Sequence, residues 1–232
     1  MAADKLTIWT GAVSGDYSVA GNWSNGVPTS GGVNGDTAII PTGVTRAITG
    51  GDYSAATLAA FVVQPGCTIG IGTLALPLKI YATTVEVLGS GPVYLDGGIL
   101  VTVTSGCRTL TIGSNATVTT LNALDGAVTT ILPAVAAINA YGGTTIFGTP
   151  YVTTAAAGVM NIFSGASVVY NSVGTVTTTH IYDGGTLDLS GDLRPVTFTN
   201  LTQDSGGQII ESLQRIVVTN WYRPGGGTLV RQ

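Results

Sequence analysis

Three stretches of the chain repeat one another closely: Met160-Asn-Ile-Phe-Ser-Gly-Ala-Ser-Val-Val169, His180-Ile-Tyr-Asp-Gly-Gly-Thr-Leu-Asp-Leu189 and Leu201-Thr-Gln-Asp-Ser-Gly-Gly-Gln-Ile-Ile210. Each is a short apolar strand, a glycine turn and a second short strand. The turn glycines Gly165, Gly185 and Gly207 lie 20 and 22 residues apart, and 22 residues before Gly165 stands Gly143. A period near 20 built of strands and turns, with no helical segment between them, is the pattern of a coiled-strand solenoid. Successive rungs of such a coil stack at the spacing of paired strands, roughly 4.8 Å. Each turn position therefore recurs up the stack and must be small or able to adopt positive φ, a demand that glycine meets most cheaply. Within the strands the alternation of two holds: Leu187 and Leu189 point one way and Asp188 the other, and Val196 and Phe198 bracket Thr197. One rung cannot bury its own apolar side, so Ile162, Leu187, Leu189, Val196 and Phe198 are expected in one stacked core.

The 232 residues are read as a single elongated all-β solenoid of about 20–22-residue rungs. An arm and cap are expected over residues 1–50, the coil over 51–212, and a C-terminal plug or docking tail over 213–232. Charged residues make up only 9% of the chain against 44% hydrophobic, with 34 glycines and a mean hydropathy of +0.43. That is too apolar for disorder and too poor in charge for the surface of an ordinary soluble monomer. Burial against copies of itself or a larger assembly is expected. No run reaches the roughly 18 apolar residues of a membrane span, and Met-Ala-Ala-Asp-Lys leads into no signal-peptide core, so neither a membrane partner nor secretion by the standard route is expected. The two cysteines, Cys67 and Cys107, are too few for a disulfide scaffold and are read as buried thiols.

Between residues 9 and 40 the chain runs through Trp9-Thr-Gly, Gly21-Asn-Trp23, Val27-Pro28 and Gly35-Asp-Thr-Ala-Ile-Ile40. In this order these elements resemble the opening segment of right-handed parallel β-helix proteins, among them bacterial surface passengers and the head-decoration or fibre proteins of tailed phages. The resemblance covers about 35 residues and, loosely, the repeat behind them. It implies a right-handed coil whose open end is plugged by Trp9 and Trp23, with sugar stacking as the other use of such rings. It also implies a virion protein on the capsid exterior that binds the major capsid protein, as a homotrimer. A glycan-binding fibre and a polysaccharide-cleaving enzyme are the alternatives. Farther on, Ala123 to Ala140 is the least repeat-like stretch, and an excursion from the coil is expected there.

No constellation for catalysis stands out. His180 is the only histidine, no serine lies in a nucleophile-elbow context, and neither cysteine has a partner nearby. Asp183 and Asp204 occupy similar turn positions one rung apart and Asp188 and Asp192 are close in sequence, so stacked carboxylates could hold calcium or flank a glycosidic bond. Asp before Gly, however, is ordinary turn chemistry. Gly70-Ile-Gly72 and Gly225-Gly-Gly227 open no phosphate loop, and a pI near 4.6 argues against a nucleic-acid partner. No catalytic residue, metal or cofactor is expected.

From Arg194 onward the balance of charge reverses. Four arginines face Asp204 and Glu211 there, a net of +2, whereas the preceding residues net −6, which together give the −4 of the whole chain. Arg215, Trp221, Tyr222, Arg223 and Arg231 are expected to form the partner-binding surface, on a tail whose glycines let it reach outward to an acidic shell or a neighbouring subunit.

Overall fold

The computed structural model describes residues 4–106, 109–212 and 215–232. It is an all-β parallel solenoid of about 20-residue turns with one short 3-10 turn at Ala20–Asn22. The chain divides into two compact units, residues 1–118 and 119–232. The first holds β1 (Leu6–Ile8), β2 (Thr37–Ile40), β3 (Gly51–Val63), β4 (Leu78–Val87), β5 (Val93–Leu95), β6 (Gly98–Ser105) and β7 (Leu110–Ile112), and β8 (Ala116–Ala123) carries the chain into the second. The second holds β9 (Val128–Ile131), β10 (Val135–Ala140), β11 (Thr144–Phe147), β12 (Ala157–Ile162), β13 (Ser167–Tyr170), β14 (Val176–Ile181), β15 (Thr186–Asp188), β16 (Val196–Gln203), β17 (Gln208–Glu211), β18 (Ile216–Tyr222) and β19 (Thr228–Arg231).

In the first unit β1, β2, β3, β4 and β6 pair in parallel in that order. The free side of β1 is taken by the segment after Trp23: Ser24 N–H donates to the Ile8 carbonyl, the Ile8 N–H donates to Ser24 Oγ, and Trp9 and Trp23 form an antiparallel bridge. The two indoles meet edge to face at 5.1 Å, and Tyr17 packs on Trp23 at 4.9 Å. All three rings are buried, and the indole N–H groups donate to the carbonyls of Arg46 and Tyr17. They block that strand edge, and their faces are closed to sugar. Asp36, also buried, ties Lys5 and Thr29 to this cap; burial alone would raise its carboxyl, but the N–H groups of Lys5 and Thr29 hold it below the usual range.

The second unit gives the coil its register. One side stacks β10, β12, β14, β16 and β18, and the other stacks β9, β11, β13, β15, β17 and β19, all in parallel. Val159 lies on Thr178, Thr178 on Asn200 and Asn200 on Asn220, steps of 19, 22 and 20 residues. The core columns are mainly apolar, each with one buried threonine: Ile138, Met160, Thr179, Leu201 and Trp221 form one, and Thr145, Val168, Leu187, Ile209 and Leu229 another. The expected core residues Ile162, Leu187, Leu189, Val196 and Phe198 are all buried.

Three expectations are corrected. Of the turn glycines, Gly143, Gly185 and Gly207 share a column but Gly165 does not join them, because Thr144 pairs with Ser167, Ser167 with Thr186, and Thr186 with Gln208. Gly165 therefore sits with Gly184 and Gly206, its N–H donating to the Gly184 carbonyl and that of Gly184 to Gly206, while Ala166 shares a column with Gly185 and Gly207. Gly165 and Gly184 have φ of 79° and 77°, which a side chain would resist. Second, the stretch from Ala123 to Ala140 is regular coil: Thr129 and Ile131 of β9 and Val135, Ile138 and Ala140 of β10 are buried, and both strands pair in register with the next rung. The excursion lies at residues 148–156, nine residues where the next three connections on that side use five, seven and four. Third, the C-terminal segment is no outward-reaching tail: β18 and β19 are in register with β16 and β17 as a further rung, and in the turn between them Gly225 and Gly227 lie against Ser205 and Gln203. Cys67 is a buried free thiol, and burial pushes its pKa up; Cys107 lies outside the described residues.

Leu187→Ala deletes a side chain with neighbours above and below in its column. It is expected to cost about 2–5 kcal/mol in urea unfolding, and a change under about 0.5 kcal/mol would mean that the site lies at the surface.

Candidate functional site

The last rung holds the residues expected to bind a partner, but it sorts them into different roles. Arg215 is 1% exposed and unreachable by any partner. Its Nε donates to the Arg194 carbonyl at 2.7 Å, Nη1 to Tyr170 and Leu189 at 2.6 and 3.0 Å, and Nη2 to Ser172 at 2.6 Å. The corner of the coil interrupts the strand ladder and leaves these carbonyls without N–H partners, and the planar guanidinium supplies them across successive rungs. Burial lowers its pKa, an effect that the nearby Asp192 carboxylate counters.

Asp192 itself is fully buried and anchors the excursion. It accepts from the Arg194 N–H and from Arg194 Nε and Nη2, the last at 2.6 Å, and from the Tyr151 N–H at 2.9 Å. The Arg194 side chain is the main reason that the Asp192 carboxyl stays well below the usual carboxylate range. Tyr151 is held at φ 63°, the one non-glycine among the described residues with positive φ, and the Arg194 guanidinium lies 6.0 Å from its ring centre. The sequence offered Asp192 as half of a carboxylate pair. Instead Asp188 accepts its own turn's Ser190 N–H while Asp192 is a structural brace.

Trp221, Tyr222 and Arg223 remain at the surface. Trp221 continues the Leu201 column, so one side of its indole is core while 37% of the residue stays exposed. Tyr222, 65% exposed, points outward in the Thr202 column. Arg223 lies over the Trp221 ring at 5.1 Å and donates to the carbonyls of Gly226 and Gly227, and among the described residues no acid pairs with it. Arg231 is already engaged: its Nε meets the buried Glu211 carboxylate at 3.0 Å, whose other oxygen accepts the Ile216 N–H. The rung thus offers an indole with one unpaired cation over it, and a phenol that projects from the other side of the same strand.

A second cluster escaped the sequence reading. Tyr141, Phe163 and Tyr182 stack ring on ring at 4.8 and 4.5 Å, and the His180 ring lies on Tyr182 at 3.8 Å with Nε2 3.1 Å from Asp204 Oδ1. Alongside runs an amide ladder in which Asn161 donates to Asn139 and Asn139 to Asn122. The rings cover one another's faces, so the column is a staple for the coil and a poor platform for a sugar, which needs an open face. Asp204 lies beyond Tyr182 in this column while Asp183 lies against Gly206, so the two do not form the stacked carboxylate pair considered above. The signal was present in Ala-Tyr-Gly-Gly, Ile-Phe-Ser-Gly, Ile-Tyr-Asp-Gly and Gln-Asp-Ser-Gly, once aligned on residues 141, 163, 182 and 204. No group of metal ligands occurs among the described residues.

The first unit presents a cleft of about 460 Å³ lined by Leu74, Leu76, Pro77, Asp52, Lys79 and Asp96. On the other side of Leu74 and Leu76 lies an apolar cleft of about 420 Å³ bounded by Ile48, Pro92 and Tyr94. Leu74 is 77% exposed. Asp96 accepts from the Asn115 N–H and Nδ2, and Asp52, exposed, accepts from the Ser54 N–H and Oγ and lies at a long 3.8 Å from Lys79.

Comparison with protein-family models, with curated proteins and with solved structures finds no match to this chain.

The brace at Asp192 generates a pH-dependent expectation. Its carboxyl is depressed in the folded state, so its contribution is present above the ordinary aspartate pKa of about 3.9 and is lost as pH falls toward the folded value. Asp192→Asn is expected to destabilise the protein by about 3 kcal/mol at pH 7. The gap from the parent chain should narrow at pH 3, as read by urea unfolding at both pH values.

Proposed function

We propose that this chain is a non-catalytic structural protein of a virion, decorating the capsid exterior by binding the major capsid protein. The observation that carries the reading is the use to which the ionisable side chains are put. Asp36, Asp192, Glu211 and Arg215 are buried in hydrogen bonds that hold the cap, the corner and the last rung. His180, the only histidine, is taken up by Tyr182 and Asp204. Among the residues left outward are Trp221, Tyr222 and Arg223 on the last rung, of the residue types that dominate binding hot spots. The resemblance of the opening segment to phage head-decoration proteins points the same way, and a composition with 9% charged residues fits a chain that covers its sides in an assembly.

The test is co-sedimentation with purified capsid shells. The parent chain is expected to pellet with shells in a saturable ratio, and Arg223→Glu to pellet at least about tenfold more weakly. A parent chain that stays in the supernatant over shells at micromolar concentration overturns the reading.

A further inference from the structure

We propose that the immediate partner of the Tyr222–Arg223 face is a second copy of this chain, which takes it into the cleft flanked by Leu74, Leu76 and Asp52. This deepens the reading above, naming the partner of the same surface, and rests on it only for the idea that the last rung is an assembly face.

Charge and shape complementarity carry the inference. Arg223 is exposed, is steadied by the Gly226 and Gly227 carbonyls and by the Trp221 ring, and has no acid beside it among the described residues. Tyr222 beside it is the more exposed of the two aromatic residues of the rung. The receiving cleft has the opposite character: exposed Leu74 and Leu76 offer apolar wall, and two carboxylates against one ammonium leave it net negative. Asp52 is the more open of that pair: its Oδ1 accepts from the Ser54 N–H and Oγ, but its side chain is 61% exposed and its Oδ2 has only a long link of 3.8 Å to Lys79. Insertion would place a phenol against two leucines and a guanidinium against a carboxylate, the pairing that gives both burial and orientation. The same two faces exist on every copy, so the contact is heterologous: copies join donor to acceptor and close into a ring or run on as an open chain. The homotrimer expected from the sequence is the ring form. The edge of β1 is already blocked by residues 23–25, which leaves end-to-end strand pairing at that edge closed as a competing route.

The test uses the purified chain without shells. Light scattering from about 1 to 100 μM in low salt is expected to show an oligomer that weakens as salt rises, in line with charge screening. Arg223→Asp alone and Asp52→Arg alone are each expected to weaken association by about tenfold or more. The double variant is expected to recover it in full, and a mixture of the two single variants to recover association as even-membered rings or open chains in which the variants alternate, because each contact between unlike variants restores an opposite-charge pair. The mixture guards against a folding defect, since a variant unable to fold cannot be rescued by its partner. Unchanged circular dichroism and thermal unfolding of each single variant complete the control. A parent chain that stays monomeric, association indifferent to both substitutions, or single losses that neither the double variant nor the mixture repairs would each overturn the proposal. A monomer that still pellets with shells would leave the decoration reading standing with the shell itself as the partner of Arg223. A repaired charge swap with no shell binding would leave the self-assembly standing and remove the virion.

Discussion

In a parallel coil each residue lies about 4.8 Å above its counterpart in the rung below, so register, and not local sequence, chooses a side chain's nearest neighbours. The rest of this structure follows from that constraint. A column must be filled by residues that tolerate being stacked on copies of themselves, and four solutions appear here. Apolar columns such as Val168, Leu187 and Ile209 form the core, and the column of Gly165, Gly184 and Gly206 makes the turn. Aromatic rings stack face on face at Tyr141, Phe163 and Tyr182, and amides bond in series through Asn122, Asn139 and Asn161. Each is favourable only in company, because a lone ring or amide at those positions would be a surface residue of little consequence.

Corners are where the constraint fails, since the strands stop and carbonyls turn away from the ladder. Water can satisfy them at the surface, but those over the interior need donors from the protein. Arg215 supplies four bonds to four carbonyls, and the nearby Asp192 tempers the charge without touching it. The arrangement explains why the longest connection can exist beside it. Residues 148–156 leave the coil, and Asp192 and Arg194 clamp their backbone at Tyr151 and Thr153. A left-handed φ at a tyrosine costs of order 1 kcal/mol or more, a strain that persists only when the surroundings fix it.

The fold was legible because period and alternation are properties of the chain alone. The core residues Leu187, Leu189 and Phe198 could be named from the two-residue alternation within the strands. Register was less accessible: adjacent glycines at 142–143, 184–185 and 206–207 offer two alignments one residue apart, and only the ladder between Ser167 and Thr186 decides which one the backbone takes. That slip moved Asp204 from beside Asp183 to beside Tyr182 and hid the aromatic column. Arg215 could not be placed by charge counting, because a basic residue reads as surface unless unpaired carbonyls from distant rungs, here those of Tyr170 and Ser172, meet it inside. The ion pair of Arg231 was equally out of reach of charge counting, its Glu211 partner lying one rung below. Tyr222 and Arg223, which have no such distant claim on them, stayed where composition put them.

The division of labour among the arginines also explains why the reversal of charge along the sequence overstates the basic character of the last rungs. Arg194 is balanced by Asp192, and Arg231 by Glu211, while Arg215 is buried. Of the four, only Arg223 projects charge outward without an acid beside it among the described residues. A single cation on a flat patch attracts weakly and without direction at physiological salt, because exposed pairs are worth about 1 kcal/mol or less. Next to Tyr222 and lying over the Trp221 ring it has more effect, since apolar area excludes water around the charge and the ring fixes the guanidinium's orientation. On the assembly reading proposed above, recognition rests on Tyr222 and on one charge oriented by Trp221, presented by a rung whose position is set by β16 and β17 beneath it.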